Sequence, residues 1–263
     1  MRNKLTDELA VCGLNAVLAV AEYHPETINR LFLREDRLKM LTGVCKKLAE
    51  RKRPYKICQD EELEKICKTV HHQGVVLMIE EPVVEPLSRE DLELWAQEKK
   101  TGLVLHSVGN DHNLGAIARA AAFFDAHFLV LNEKEEEAKL STSAYRIAEG
   151  GMEHITVRKI SNTAAFLRDA SKSLLTIGTD VRARIRIQDM DSLLKEKSEN
   201  TELSGGKAGR SGVVLVLGNE ETGLPKEVKS QCSYTIRVPG TGNIESLNVS
   251  QVAALFLQKI YEL

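Results

Sequence analysis

The segment V213-V-L-V-L-G-N-E-E-T-G-L224 joins an unbroken apolar run to a short loop of glycine, amide and carboxylate residues. Five consecutive branched aliphatic residues that end at a turn signal are typical of a strand buried on both faces. Such strands occur in parallel sheets covered by helices on each side. The segment therefore predicts an α/β fold. It also puts polar groups at the carboxyl end of a strand, where open parallel sheets bind their ligands.

Strand and helix patterns alternate on both sides of this segment, which extends the predicted parallel sheet over residues 101–263. The predicted elements are Gly102–Val108, Asn113–Phe124, His127–Leu131, His154–Val157, Ala164–Ser171, Leu174–Thr179, Val213–Leu217, Lys226–Ser230, Tyr234–Val238 and a final helix from Val249. The glycine- and serine-rich stretch Asp189–Gly212 predicts a flexible surface loop between two of these strands.

The first 80 residues predict a smaller αβ domain with its own core. The patterns there are Asn15–Tyr23, Asp36–Arg51 and Glu61–Lys68 for helices, and Ile28–Leu33, Lys56–Cys58 and Gly74–Ile79 for strands. Residues 81–100, with Pro82 and Pro86 and many acidic side chains, predict a linker that holds one short helix. We therefore expect domains at 1–80 and 101–263, joined by the linker 81–100.

Composition narrows the class of protein. A net charge of -2 argues against a histone-like nucleic-acid binder, although it leaves room for a local basic patch. The densest positive stretch is a solvated helix face or a contact to an RNA backbone, and both interpretations stay open. Its cations are Lys46, Lys47, Arg51, Lys52, Arg53 and Lys56.

Cysteine and histidine spacing argues against a metal site. The five cysteines form no C-x-x-C pair, so we expect reduced, mostly buried thiols, and the seven histidines lack metal-ligand spacing. The apolar run Leu9–Ala21 is interrupted by Gly13 and Asn15 and is too short to cross a bilayer. We therefore expect a cytoplasmic protein without a bound metal or a membrane anchor.

Three loops follow predicted strands and mix glycine with amide, carboxylate or hydroxyl groups. They are G109-N-D-H-N-L-G-A-I-A-R119, L217-G-N-E-E-T-G-L224 and V238-P-G-T-G-N-I-E-S-L-N-V-S250. One such loop is a common turn, but three at the carboxyl ends of one sheet favour a ligand site. The chain has no G-x-G-x-x-G after a first strand and no G-x-S-x-G elbow, which argues against a nicotinamide enzyme and a triad hydrolase.

These motifs resemble a known family. N113-L-G-A-I-A-R119, G218-N-E-E-T-G223 and S246-L-N-V-S250 resemble, in order and placement, the three motifs of the SpoU (TrmH-like) branch of RNA ribose 2'-O-methyltransferases. C12-G-L-N-A-V17 and H72-Q-G-V75 resemble the opening and close of that family's L7Ae/L30e-like substrate-binding domain. The resemblance covers nearly the whole chain.

The resemblance implies an α/β catalytic domain in which the C-terminal segment forms a deep trefoil knot. It implies that S-adenosylmethionine binds at Gly218, Val238 and Leu247, largely through backbone groups. Glycine suits such loops because it permits close backbone approach. The resemblance also implies an RNA substrate, ribosomal or transfer, rather than DNA, and a homodimer that pairs through the region of the last helix.

The resemblance further implies five catalytic residues. Arg119 would activate the ribose 2'-hydroxyl. Because a guanidinium has a pKa above about 12, we interpret it as a phosphate ligand that lowers the cost of forming the alkoxide rather than as a proven base. Asn113 would hold the ribose or the arginine, and Glu220 would orient Arg119 or Asn113. Ser246 and Asn248 would position the substrate and the other motif residues. Helix capping and solvent exposure are the ordinary alternatives for these side chains.

Two stretches depart from the family pattern. A120-A-A-F-F-D125 has Ala where relatives usually have Thr, and Asp where they usually have Gly; V238-P-G-T-G242 replaces the common Ile-Pro-Met. The matched polar residues remain intact, which favours an active methyltransferase. The alternative is an RNA-binding or assembly factor that keeps the fold with little or no methyl transfer.

Overall fold

The computed structural model describes residues 2–3, 7–133, 138–193 and 212–262, which group into two compact units. The first unit comprises Met1–Val83, Asp111–Arg119 and Lys139–His154. The second comprises Val84–Asn110, Ala120–Ala138 and Ile155–Leu263. Both units are therefore assembled from separate stretches of the chain.

Thirteen strands and nine helices are named among the described residues. The strands are β1 (Arg2–Asn3), β2 (Glu8–Cys12), β3 (Ile28–Leu33), β4 (Tyr55–Ile57), β5 (Val75–Glu80), β6 (Glu85–Pro86), β7 (Thr101–Leu105), β8 (Phe128–Asn132), β9 (Thr156–Ile160), β10 (Leu175–Thr179), β11 (Ile185–Arg186), β12 (Val213–Leu217) and β13 (Tyr234–Arg237). The helices are α1 (Leu14–Tyr23), α2 (Thr42–Glu50), α3 (Asp60–Cys67), α4 (Arg89–Gln97), α5 (Asp111–Phe123), α6 (Thr142–Ala148), α7 (Thr163–Ala170), α8 (Lys226–Lys229) and α9 (Val249–Tyr261).

The first unit is built on a mixed five-stranded sheet in the order β1-β2-β5-β3-β4. Strand β5 is antiparallel to β2 and β3, whereas the edge strand β4 is parallel to β3. The apolar run Leu9–Ala21 forms both β2 and α1, because Gly13 turns the chain with φ 94° between them. Glycine adopts this conformation without the steric penalty of a Cβ atom.

One predicted helix of this unit begins later than its sequence pattern indicates. The expectation of a helix over Asp36–Arg51 is wrong in its first turns, since a 3-10 turn occupies Glu35–Arg37 and α2 begins at Thr42. The side chain of Arg34 binds the carboxylates of Asp36 and Asp60 and so holds this turn against α3. Local side-chain bonds to a turn compete with the helix ladder.

The second unit is built on an eight-stranded sheet in the order β11-β13-β10-β12-β7-β8-β9-β6. Every neighbouring pair in it is parallel. Strand β12 lies inside the sheet between β10 and β7, and all five of its residues are buried. The predicted α/β class with a parallel sheet is confirmed. The strand order does not define how the chain threads its loops, so the trefoil knot stays a prediction.

The stretch predicted as a linker adds two elements to the second unit. Strand β6 pairs with β9 at the sheet edge, and α4 is the predicted short helix. Trp95 on α4 stacks on Phe128 with ring centroids 3.5 Å apart. Burial of Asp91 is outweighed by its bond to Arg158, so that the pKa of this carboxyl lies below its usual value. These contacts join α4 to the sheet.

The cysteines behave as the sequence predicts. Four of them are buried and the fifth, Cys232, is half-buried, and all five are free thiols. Burial raises the pKa of Cys232 to about 12, so its thiol stays protonated at neutral pH. The predicted loop Asp189–Gly212 lies mostly outside the described residues, which end at 193 and resume at 212. Within the described residues, no helix combines the length and the apolar composition that a membrane span requires.

Candidate active site

The ends of strands β7 and β12 lie side by side at the carboxyl edge of the large sheet. Strands β7 and β12 are neighbours, with Leu105 paired to Leu217 at their ends. The backbone N–H of His106 donates to the carbonyl of Leu217 at 2.9 Å. The side-chain amide of Asn219 donates to the carbonyl of Ser107, also at 2.9 Å. The loop after β12 is therefore bonded to the backbone that directly follows β7.

The loop after β12 is a tight turn organised by Asn219. Its Oδ1 accepts hydrogen bonds from the backbone N–H groups of Glu221 at 2.9 Å and Thr222 at 3.0 Å. Gly223 closes the turn with φ 67°, and its N–H donates to the Asn219 carbonyl at 2.9 Å. A Cβ on Gly218 would lie 2.5 Å from the carbonyl carbon of Gly223, so only glycine fits there. The loop backbone is thus compact. It requires glycine at 218, where a Cβ has no room, and favours glycine at 223, where φ is positive.

Asn219 was not among the residues that the motif comparison assigned a role. A signal for it exists in the sequence, because asparagine at the first position of a turn accepts bonds from backbone groups two and three residues later. Glu220 follows it and is exposed. Asn219 therefore fixes the backbone of the turn that bears Glu220.

The third loop presents both apolar and polar groups. Val238 follows β13 and is half-buried, whereas Leu247 remains 40% exposed and Ile244 remains 70% exposed. Ser246 is exposed as well. Large aliphatic side chains left open beside polar backbone suit a ligand with an apolar face and several hydrogen-bonding groups.

Asn248 lies at the start of α9. Its Oδ1 accepts from the backbone N–H of Ser250 at 2.8 Å and from the Ser250 hydroxyl at 2.6 Å. The ordinary expectation of a helix cap at this position is therefore correct. The helix that it begins packs against β12, the strand that leads into Gly218.

The residues of the second and third loops fit S-adenosylmethionine. The donor combines a flat adenine ring with a ribose and a charged methionine group, so it needs close backbone approach together with an apolar surface. Gly218 would permit the first, since it has no side chain to hold a ligand away from the backbone. Leu247 and Val238 would contribute to the second. Among the described residues, no group of three or more His, Cys, Asp or Glu side chains is arranged to hold a metal ion.

Arg119 lies on α5 and belongs to the first unit, as does Asn113. Asn113 is 8% exposed, whereas Arg119 is exposed and its guanidinium lies 3.1 Å from the carboxylate of Glu149. Glu149 also accepts a hydrogen bond from the side chain of Asn15 at 3.3 Å. The carboxylate of Glu149 thus holds the guanidinium in one direction and stabilises its charge.

Sequence reasoning missed Glu149 because it missed α6, which ends at Ala148. Glu149 is the left-handed residue at the end of that helix, with φ 47°. Two glycines fix α6 and its following turn to α5. A Cβ on Gly115 would lie 2.5 Å from the Ala144 carbonyl oxygen, and one on Gly151 would lie 3.0 Å from the Arg119 Cα. Close packing of this kind locks the helix that bears Arg119.

The structure therefore divides the predicted site residues between the two units. Asn113 and Arg119 belong to the first unit. The others lie in the loops at the carboxyl edge of the large sheet in the second unit: Gly218, Glu220, Val238, Ser246, Leu247 and Asn248. The roles assigned to these eight residues stay predictions.

Comparison with known proteins agrees with this architecture. Residues 100–258 match the model of the SpoU rRNA methylase family, and residues 10–83 match that of RNA 2'-O ribose methyltransferase substrate-binding domains. The chain is 29% identical over 254 residues to the 23S rRNA (guanosine-2'-O-)-methyltransferase RlmB of Acinetobacter baylyi, with 93% of each chain covered. It is 28% identical over 255 residues to RlmB of Nitrosomonas europaea, covering 96% of this chain and 91% of the relative.

Solved structures share the fold. An S-adenosylmethionine-bound rRNA methyltransferase from Sinorhizobium meliloti superposes with a TM-score of 0.74 at 21% identity, covering 98% of this chain and 88% of that one. A parallel α/β sheet with polar loops at its carboxyl edge, preceded by a small αβ substrate-binding domain, defines a two-part α/β methyltransferase. The chain belongs to the SpoU rRNA methylase family.

Proposed function

We propose that this protein transfers a methyl group from S-adenosylmethionine to the 2'-hydroxyl of a ribose in ribosomal RNA. The supporting observation is the order of the two family matches, with a substrate-binding region at 10–83 followed by a methylase region at 100–258. The two RlmB relatives are named for methylation of a guanosine in 23S rRNA, which favours that substrate class here. Their names favour an enzyme over an assembly factor that lacks methyl transfer.

The domain roles follow from the same matches. Residues 1–80 bind the RNA, residues 81–100 connect the two domains, and residues 101–263 bind the donor and catalyse the transfer. The two matched regions, 10–83 and 100–258, support these bounds to within a few residues at each junction.

The donor binds the loops after β12 and β13. Bound S-adenosylmethionine supplies an electrophilic methyl group on a positively charged sulfur. The backbone at Gly218 approaches it closely, while Val238 and Leu247 exclude water from its apolar parts. Water exclusion strengthens electrostatic interactions within the site and protects the reacting group from hydrolysis.

Arg119 assists loss of the proton from the ribose 2'-hydroxyl. A guanidinium stays protonated at neutral pH, so its contribution is to bind an RNA phosphate and to stabilise the negative charge that develops on the 2'-oxygen. The 3.1 Å contact to Glu149 orients it for this role. The side chain of Glu149 is 39% exposed, so water screens its attraction for Arg119. The guanidinium therefore keeps a positive charge that can bind a phosphate.

The remaining polar residues position the substrate. Asn113 holds the ribose or Arg119, and Glu220 orients Arg119 or Asn113 by charge-assisted hydrogen bonds. Ser246 and Asn248 position the RNA. Placing reacting atoms in line accounts for several kcal/mol of a catalysed barrier, at most about 7–11 kcal/mol. Asn248 serves in addition as the cap of α9.

The proposed enzyme is a cytoplasmic homodimer that pairs through the region of α9. Supporting this, large side chains remain open on α9 and at the end of α5. Tyr261 is 61% exposed, Leu255 is 41% exposed and Phe123 is 79% exposed. Phe124 contacts Tyr261 with ring centroids 6.1 Å apart, which extends the aromatic surface. Exposed apolar patches of this kind mark protein interfaces.

Donor binding is the direct test of the proposed site. Titration of the full-length protein with S-adenosylmethionine in a calorimeter should give heat that saturates at one site per chain. Methionine alone, which lacks the adenosine part, is the matched control and should give none. Absence of both heat and a thermal shift with the intact donor would contradict the proposed enzyme and favour the assembly factor.

A further inference from the structure

A dense stretch of positive charge lies on the first unit. It consists of residues 46–57, which include the second half of α2, the following turn and β4, and we call it the basic surface. Its cations are Lys46, Lys47, Arg51, Lys52, Arg53 and Lys56, and all six are exposed. Glu50 is the one carboxylate of the stretch, although the whole chain has a net charge of -2.

Most of this charge is not neutralised by the protein. Lys56 forms an ion pair with Glu62 at 2.5 Å. For the other five cations, no carboxylate in the described part of the chain lies within ion-pair distance. A cluster of unneutralised cations attracts an external polyanion.

Helix capping accounts for only part of this cluster. Cations near a helix C-terminus interact favourably with the last carbonyl groups, which explains Lys47 and Arg51. Arg53 and Lys56 lie beyond the helix end. Lys52 occupies a left-handed position, φ 56°, where glycine or asparagine is the usual residue. A basic side chain at this position therefore has no local structural explanation.

An aromatic side chain lies within the same surface. Tyr55 is on β4, an edge strand whose three residues are all exposed, and its side chain is 46% exposed. Side chains alternate along a strand, so that Ile57 shares its face while Lys56 lies on the other. No described aromatic ring contacts Tyr55. Exposed cations close in sequence to an open aromatic ring suit a single-stranded nucleic acid, in which phosphates bind the cations and a base stacks on the ring.

The same groups fit a membrane poorly. Surface-bound helices place a broad apolar face in the lipid. The apolar face of α2 is instead buried through Cys45 and Leu48, and the open apolar area is confined to Tyr55 and Ile57.

We propose that the basic surface binds a single-stranded segment of the RNA substrate, with phosphates at Arg51, Lys52 and Arg53 and a base stacked on Tyr55. The proposal rests on the proposed function, since RNA is the substrate of that reaction. The sequence allowed this basic stretch to be either a solvated helix face or a contact to an RNA backbone, and the proposal chooses the RNA contact.

Charge reversal tests the phosphate contacts. The probe is a labelled 12-nucleotide single-stranded RNA of mixed sequence, titrated with the full-length protein at several salt concentrations. The double variant Arg51→Glu/Arg53→Glu should weaken binding at least about tenfold. It should also lower the slope of log affinity against log salt by about 1.4, since each single-strand phosphate contact contributes about 0.7.

The matched control is Lys226→Glu/Arg168→Glu, which changes the net charge equally at two exposed positions outside residues 1–80. It should leave affinity and slope close to those of the wild type. Equal weakening by both variants would mean that the effect is one of overall charge and would overturn the proposal. Thermal unfolding of each variant verifies that the fold is retained.

The stacking contact has its own test. Tyr55→Ala should weaken RNA binding about tenfold, whereas Tyr55→Phe, which keeps the ring, should not. An unchanged affinity for Tyr55→Ala would contradict the base-stacking role. Binding of the wild type to anionic phospholipid vesicles without binding to RNA would replace RNA by a membrane and overturn the proposal.

Methyl-transfer assays distinguish failure of the proposed function from failure of the proposed RNA contact. With RNA as varied substrate, the charge-reversed variant should show a raised KM and a nearly unchanged kcat, because the basic surface binds the substrate without contacting the reacting atoms. A wild type that binds RNA through this surface but transfers no methyl group would contradict the proposed function alone. A wild type that methylates RNA with variants equal to the control would contradict the basic surface alone.

Discussion

Arg119 illustrates what one residue contributes and how far sequence can predict it. The motif predicted its importance, and the structure adds that its guanidinium contacts Glu149 at 3.1 Å. Glu149 could not be inferred, because its effect depends on a left-handed turn after α6, a helix that the sequence patterns did not reveal. Asn219 was missed for a different reason: it acts on the backbone of its own loop, and the motif comparison directed attention to the neighbouring Glu220.

Replacement of the arginine tests its proposed role. Arg119→Ala should lower methyl transfer by about 100-fold or more, since removal of one group that stabilises developing negative charge has effects of this size. S-adenosylmethionine binding should stay near the wild-type value, because the loops assigned to the donor are elsewhere in the sequence. Methyl-transfer rates and donor calorimetry on the same preparation measure both quantities.

Arg168→Ala provides the control, since Arg168 is an exposed arginine on α7 to which no role is assigned. It should retain wild-type activity. If Arg119→Ala proved as active as this control, the assignment of Arg119 to catalysis would be wrong.

At the scale of elements, the buried strands of the large sheet were largely predictable, whereas the short edge strands β6 and β11 were missed and β9 begins at Thr156 rather than at His154. Strand β12 agrees with its predicted range, Val213–Leu217, because a fully buried parallel strand is an unbroken aliphatic run in the sequence. Strand β2 was missed because its apolar residues continue into α1 without a polar break, and the separating signal is the single residue Gly13. The first turns of the predicted helix Asp36–Arg51 were wrong because Arg34 holds a different turn there.

The loop after β12 gives the prediction at this scale. Gly218→Ala should weaken donor binding at least about tenfold, corresponding to about 1.4 kcal/mol, because the added Cβ would lie 2.5 Å from the Gly223 carbonyl carbon and force the loop to move. Calorimetry with S-adenosylmethionine measures the loss. The sheet should remain folded, as judged by circular dichroism.

Gly43→Ala, on α2 and outside the proposed donor loops, is the control. A Cβ at Gly43 would meet no atom within 4 Å, so this change should leave donor binding at the wild-type value. Equal losses in the two variants, or none at Gly218, would remove the argument that the compact turn shapes the donor site.

For the whole molecule, the sequence predicted the class of fold and the family, and both are confirmed by the parallel sheet and by the match over residues 100–258. It did not predict that the compact units would be discontinuous, with Asp111–Arg119 and Lys139–His154 grouped with the N-terminal residues. Such grouping depends on contacts between segments far apart in the chain, such as α6 with β2. The local periodicity of apolar residues does not predict these contacts.

The central claim is that this molecule methylates a ribose oxygen of RNA. The most direct measurement is to incubate the purified protein with S-adenosylmethionine and an unmodified 23S rRNA transcript and then to map positions that resist alkaline cleavage. Alkali cleaves RNA through the free 2'-hydroxyl, so a 2'-O-methyl group protects the adjacent bond. We predict protection at a guanosine that depends on both the donor and Arg119. Methyl groups found only on bases, or no methyl incorporation into any stable RNA, would contradict the account.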